Sequence, residues 1–204
     1  MARFTTTFTT EEGKVAPFFA EFCLFHRNRR IPETRIKSAY FSIGGTSMSI
    51  IKILMTCHGN ICRSTMAEFV MKEWVRRHGC GDMFEIASAA TSREEIGNDT
   101  HWGTKEQLDR HHIPYTKRKA RQMSRADYEQ YDYLIGFDAE NLREIRRIAG
   151  VPAGQKDSKI RLLLDFTDSP REIADPWYTG DFVTTYQDVA RGCDALGKAL
   201  TAEC

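Results

Sequence analysis

Residues 50–79 read IIKILMTCHGNICRSTMAEFVMKEWVRRHG. Three signals follow one another in this stretch. IIKILMT (50–56) is apolar, partly β-branched, and ends at a glycine-bearing loop, the pattern of a strand buried on both faces. From Ser64 onward, Met66, Phe69, Val70 and Trp74 share one helical face. Ser64 is placed to cap that helix, and Gly79 to end it after a basic last turn. Between strand and helix lies TCHGNICRST (56–65), which packs Cys57, His58, Cys62 and Arg63 around a glycine-asparagine pair.

The loop has several readings on its residues alone. Cys57, His58 and Cys62 offer three zinc ligands, but their spacing is irregular and no second Cys or His pair follows at a zinc-like interval. A Cys57–Cys62 disulfide requires an oxidising compartment. The six cysteines, at 23, 57, 62, 80, 193 and 204, form no framework and fit a reducing one, with Cys23, Cys80, Cys193 and Cys204 expected to be ordinary apolar or surface residues. Phosphate matches better. Backbone N–H groups in a strand-to-helix loop converge on one spot, and the helix dipole adds positive potential. Gly59 permits close approach or a positive φ. Asn60 tolerates the left-handed region and can tie the loop together. Arg63 offers a planar fork for two phosphate oxygens. A cysteine at the base of this nest is held as a thiolate, a nucleophile aimed at phosphorus.

Outward from the loop, strand and helix signals alternate. FEIASAA (84–90), YDYLIGF (131–137) and KIRLLLDF (159–166) read as strands. HWGTKEQLDRHHIP reads as a helix stopped by Pro114, and AENLREIRRIAG as another. Phe182, Tyr186, Val189, Cys193, Leu196 and Leu200 form the buried stripe of a last helix. The pattern predicts an α/β fold around a mainly parallel four-stranded sheet, with its ligand site beyond the carboxyl ends of the strands.

Composition sets the outer limits. The chain has 204 residues, 41% hydrophobic and 28% charged, as globular proteins do. A net charge of +1 gives no bias toward nucleic acid or membrane surfaces. No apolar run approaches the roughly 20 residues that span a bilayer. In residues 1–47, Lys and Arg outnumber Asp and Glu by 7 to 4, whereas the remainder has 22 against 24. Acidic residues interrupt that segment, so neither a signal nor a transit peptide fits. Residues 1–47 are expected to be an extension, disordered or upstream of a working start at Met48, ahead of a domain at 48–204. A short helix at 15–25 is the alternative.

CHGNICRS, SAATSREEIGN, KARQMSRADYEQYDYLIGFDAENL and ADPWYTGDF occur in this order between Ile51 and about Leu200. Together they resemble the low-molecular-weight protein tyrosine phosphatase family, in which Cys-x5-Arg-Ser is the signature loop. The resemblance implies a three-layer α/β sandwich with the phosphate-binding loop after the first strand. It implies a cytoplasmic phosphatase, acting on tyrosine-phosphorylated proteins or peptides without a metal or cofactor. Neither nucleic acid nor membrane partners are implied, and oligomeric state is left open.

Residue by residue, Cys57 is implied as nucleophile, and Arg63 as the group that binds the phosphoryl oxygens. Asp175 in ADPWYTG is the implied general acid. Ser64 would donate a hydrogen bond to the thiolate. His58, Gly59, Asn60, Ile61 and Cys62 complete the phosphate loop, and Asn60 and Ser88 would hold it in shape. Cys62 would trap Cys57 as a reversible disulfide under oxidation. Trp177 and Tyr178 would wall the substrate slot. Asp138 is read as a helix cap rather than a catalytic group, and His111 and His112 as a solvated or dipole-facing pair.

The sequence departs from the family pattern in three ways. Thr65 replaces a common proline, with little functional effect expected. Glu94 stands where an aromatic often lines the slot. Arg118 and Lys119 replace a histidine before ARQ. The run KRKAR (117–121) is expected either to favour acidic phosphopeptides or to form a solvated basic loop. Three other functions compete. Protein-arginine phosphatases tend to have threonine where Ile61 stands. Thiol-dependent arsenate reductases use two further cysteines, which are not suitably placed here. A non-catalytic phosphate-binding module has no need of both Cys57 and Asp175.

Overall fold

The computed structural model describes residues 40–43, 46–152 and 154–202. An antiparallel hairpin of β1 (Tyr40–Ile43) and β2 (Thr46–Ser49) precedes the α/β body. The boundary drawn at 47/48 falls inside β2, and the other expectations for the first 47 residues lie largely outside the described residues.

The body is organised by β3 (Ile51–Cys57), which lies between β4 (Phe84–Ala90) and β5 (Tyr133–Gly136). A short β6 (Ile160–Leu162) pairs with β5, giving the order β4-β3-β5-β6 with every pairing parallel. Register runs from Ile51 opposite Phe84 to Cys57 opposite Ala90. The chain steps from β3 to one neighbour, β4, then returns to the other, β5. The end of β3 is therefore a switch point, where open α/β sheets bind ligands.

Ile53, Leu54 and Met55 are fully buried and face alternate sides. Ile53, Met55 and Cys57 join one cluster with Met66, Phe69 and Met71 of α1 (Arg63–Arg77) and Val189, Cys193 and Leu196 of α6 (Phe182–Thr201). Leu54 joins the other with Leu134, Ile160 and Ile145 of α4 (Ala139–Ala149). Helices cover both faces, a three-layer sandwich. Gly197 sets the spacing of α1 and α6, because a Cβ there would lie 2.6 Å from the Trp74 ring. The smaller helices are α2 (Trp102–Arg110), α3 (Arg125–Gln130) and α5 (Pro176–Thr179). Among the described residues, no helix is long and apolar enough to cross a membrane.

Four local expectations need correction. Helix α1 starts at Arg63 with Cys62 in the cap position, so Ser64 lies inside the first turn. Thr65 ties that turn instead, donating from Oγ1 to the carbonyls of Ile61 and Cys62. The fourth strand stops at Leu162, and Leu163–Phe166 turn into a 3-10 helix once Asp165 accepts the Leu162 N–H. The third strand begins only at Tyr133, because the Tyr131 N–H closes α3 on the Asp127 carbonyl. Helix α2 ends at Arg110, before Pro114, and His112 reverses the chain with φ of 54°. His111 caps α2 and stacks on Tyr186 at 3.8 Å.

Candidate active site

Residues 58–62 join β3 to α1. None of their backbone N–H groups donates to an acceptor among the described residues. Asn60 takes the left-handed conformation, with φ of 59°, that lets successive N–H groups turn to one side. Gly59 serves by close approach, since a Cβ there would come within 2.9 Å of Glu95 Cγ. The loop thus presents unpaired donors at the N-terminus of a 15-residue helix, an arrangement made for an anion.

Cys57 lies at the base of the loop, buried, with its sulfur 3.0 Å from Ser64 Oγ. Ser64 Oγ accepts from Asn60 Nδ2 at 2.9 Å, which leaves the Ser64 proton for the sulfur once Cys57 is ionised. The second Asn60 amide hydrogen goes to Ser88 Oγ at 2.8 Å, and Ser88 donates to Glu68 Oε2 at 2.5 Å. Cys62 is buried beside this network. Burial first, and then the nearby Cys57 and Asp175 anions, push its thiol well up, so it stays protonated.

Arg63 closes the other side, 2% exposed. Its Nη1 donates to Asp138 Oδ2 at 2.6 Å and to the Ile173 carbonyl at 3.0 Å, and its Nη2 to Asp175 Oδ2. Burial opposes the guanidinium charge, but the anions Cys57, Asp175 and Asp138 outweigh it and hold the group above its ordinary range. Nε has no partner among the described residues. A buried, unpaired donor on a permanent cation is costly unless a ligand accepts from it.

Asp175 caps α5, its Oδ1 accepting from the Trp177 N–H at 3.1 Å, while Pro176 starts the helix. Trp177 and Tyr178 follow on the exposed turn and border a slot that also touches Cys57, Ile61, Glu94 and Glu95. His58 turns its side chain to Glu94, Nε2 to Oε2 at 3.0 Å. Among the described residues no group of three or more His, Cys, Asp or Glu is arranged to hold a metal ion.

The chain segments around residues 57–64, 88, 94 and 175–178 meet at one place. Two assignments change. Asp138 does cap α4, accepting from the Asn141 N–H at 2.6 Å, but its other oxygen holds Arg63. Arg118 is not part of a solvated loop, its side chain being only 15% exposed. It turns inward to Asn60, Nη2 to Oδ1 at 2.9 Å and Nη1 to the carbonyl at 3.3 Å. Glu68 was missed altogether, although its spacing of four from Ser64 places both on the same face of α1.

The sequence model described as low molecular weight phosphotyrosine protein phosphatase matches residues 52–204. This chain belongs to that family. With the family comes its enzyme class, protein tyrosine phosphatase. The protein is 36% identical over 156 residues to the low molecular weight protein-tyrosine-phosphatase YfkJ of Bacillus subtilis, covering 76% of this chain and 98% of that one. It is 36% identical over 147 residues to the Homo sapiens low molecular weight phosphotyrosine protein phosphatase, covering 71% and 92%. The YfkJ crystal structure superposes with a TM-score of 0.71, covering 76% of this chain and 97% of that one. A Drosophila arginine phosphatase shares the fold at 25% identity and a TM-score of 0.66, covering 74% and 98%.

Proposed function

We propose that the protein hydrolyses phosphotyrosine and other aryl phosphate monoesters through a phosphocysteine intermediate. The observation that carries this is the set of unpaired donors around Cys57, namely the N–H groups of residues 58–62 and Nε of Arg63. They match the oxygens of a phosphoryl group seated over the sulfur.

A phosphoryl group entering the cradle competes with Asp175 for the Arg63 guanidinium and releases that carboxyl toward the leaving oxygen. The Cys57 thiolate attacks in line. The S–P bond forms, the ester P–O bond breaks, and protonated Asp175 gives its proton to the leaving phenol. Water then attacks phosphorus, its proton returns to Asp175, and the P–S bond breaks to free phosphate. Ser64 donates to the sulfur and eases its departure. Asp138 and the Ile173 carbonyl keep Arg63 in plane.

Ile61, Trp177 and Tyr178 give the slot apolar walls, which suit a phenyl ring better than a guanidinium. Among the described residues, an arsenate-reductase relay gains no support from the cysteines. Cys193 is fully buried, and Cys80 follows the far end of α1, about 22 Å along the helix from the loop. Cys62 is proposed as a redox guard for Cys57, and the natural substrates as tyrosine-phosphorylated proteins or peptides in a reducing, cytoplasmic compartment.

The test gives purified protein an aryl phosphate, phosphoarginine, or arsenate with thioredoxin. Release of phosphate from the aryl ester, reduced strongly in Asp175→Asn and lost in Cys57→Ser, is the expected result. Cys57→Ser should still bind inorganic phosphate. Arsenate-dependent NADPH consumption without phosphate release would overturn the proposal.

A further inference from the structure

Among the described residues, five large apolar side chains stand exposed: Ile96, Trp102, Trp177, Tyr178 and Val183. Exposed apolar residues scattered singly need no explanation, but these belong to one neighbourhood. Trp177 and Tyr178 border the slot over Cys57, and Ile96 follows Glu94 and Glu95 on its rim. Trp102 opens α2 and Val183 lies in the first turn of α6, and the two helix starts meet where Trp102 faces Phe182.

A row of rings connects them. His101 meets Trp177 edge-on at 5.7 Å and stacks parallel to Phe182 at 5.0 Å. Trp102 lies 5.4 Å from His101 and 6.2 Å from Phe182. The row thus runs from the wall of the slot to an indole that is 70% exposed. It is also fixed in place. The His101 N–H donates to the Ile61 carbonyl of the phosphate loop at 2.9 Å, and Nδ1 caps α2 by accepting from the Gly103 N–H at 3.1 Å. Gly103 lets Phe182 lie against the helix, since a Cβ there would come within 2.7 Å of the ring. Burial lowers the pKa of the imidazole against the opposing pull of Glu95, which keeps the row uncharged in the neutral range. Trp102 itself belongs to neither buried cluster, so its apolar surface adds nothing to the core.

We propose that Trp102, joined to the catalytic slot through His101 and Phe182, forms a subsite for a large apolar side chain of the substrate peptide, about three residues from its phosphotyrosine. The subsite presupposes the phosphatase reading of the slot. Its occupant follows from continuity. A peptide whose phosphotyrosine ring lies against Trp177 leaves the slot beside the row. Two steps of 5.7 and 5.4 Å across His101 separate the Trp177 and Trp102 rings, a span that an extended chain covers in about three residues. A rigid, uncharged aromatic surface selects its partner by apolar area and ring stacking.

The experiment measures kcat/KM of the full chain on alanine-rich phosphotyrosine peptides that differ only in one phenylalanine, placed about two to four residues before or after the phosphotyrosine. The readout is the ratio to the peptide without phenylalanine. In the wild type this ratio should reach about ten at one of the positions, the scale of covering part of a phenylalanine side chain. Trp102→Ala should bring it close to one, and Trp102→Phe should recover most of it. Binding of the same peptides to Cys57→Ser, with and without Trp102→Ala, gives the ratio without turnover, and a thermal melt of each variant checks its folding. A wild-type ratio near one at every position overturns the proposal and needs no variant. Equal slowing of every peptide in Trp102→Ala, with the ratio unchanged, assigns Trp102 a structural role and overturns it too. Sedimentation at several concentrations accompanies the kinetics. A dimer that is lost in Trp102→Ala, with a ratio near one, gives the face to a second copy of the chain and likewise overturns the proposal. A wild type that turns over no peptide would speak against the phosphatase reading, and the binding ratio on Cys57→Ser would then decide on Trp102 by itself.

Discussion

Replacing Asp138 by asparagine separates two jobs that one carboxylate performs. Oδ1 accepts from the Asn141 N–H and caps α4, while Oδ2 accepts from Arg63 Nη1 at 2.6 Å. Asparagine caps a helix about as well as aspartate, so the first job survives, less the few tenths of a kcal/mol by which a negative charge favours a helix N-terminus. The second job loses its charge. A hydrogen bond between charged groups contributes about 1.5–3 kcal/mol when its partners are buried. Arg63 keeps the Ile173 carbonyl and Asp175 as partners, and in the proposed mechanism the incoming phosphoryl group displaces Asp175. With Asp138 neutral, only a carbonyl then holds the guanidinium in plane. If most of that interaction supports the transition state, kcat/KM on an aryl phosphate falls about ten- to a hundredfold. The melting temperature should change by only a few degrees. Steady-state kinetics, phosphate binding and a thermal melt together make the assay. Asp138→Ala serves as contrast, adding about 1 kcal/mol of lost cap to stability without a matching further kinetic loss. Wild-type kcat/KM in Asp138→Asn would refute the positioning role and return Asp138 to a cap alone.

Trp177→Ala should lower kcat/KM for p-nitrophenyl phosphate several-fold and leave a small alkyl phosphate almost unaffected, since only the ring uses that wall; equal losses on both would contradict the slot. Gly197→Ala should destabilise the fold by about 1–3 kcal/mol in urea unfolding, because the new methyl meets the Trp74 ring at 2.6 Å. Asp99 has its carboxyl held down at about 2, first by the Lys105 ammonium and then, against some burial, by the N–H groups of Arg118 and Thr100. An acid depressed in the folded state stabilises above its unfolded value of about 3.9, and that contribution is lost as pH falls from about 4 to about 2. Asp99→Asn should therefore cost about 1 kcal/mol at pH 7, after allowance for solvent screening, and nothing near pH 2. A constant difference between the two proteins across that range would contradict the assignment.

The part of the fold that depends on periodicity was legible in the sequence. IIKILMT could only be a strand covered on both sides, and Ile53, Leu54 and Met55 are indeed split between two cores. What escaped was settled by side chains competing for backbone groups. Thr65 took the first turn of α1 and freed Ser64 for the sulfur. Asp165 cut β6 short at Leu162. The loop chemistry was readable because Cys57, Asn60 and Arg63 are neighbours in the chain. Arg118 was not, since a basic run looks solvated unless the acceptor it reaches is known. That acceptor, Asn60, lies 58 residues away. Asp138 was half-read, because helix capping explains an aspartate after a strand so well that nothing in the sequence asks for its second oxygen.

The most direct measurement is intact-protein and peptide mass spectrometry after a rapid mix of aryl phosphate with Asp175→Ala, a variant able to accept phosphate from an activated ester but slow to pass it to water. The peptide containing Cys57 should carry one phosphoryl group, the label should be acid-sensitive as a thiophosphate is, and Cys57→Ser in the same background should abolish it. Phosphate release by the wild type, with no label on Cys57 or with the label on another residue, would contradict the mechanism built on the loop.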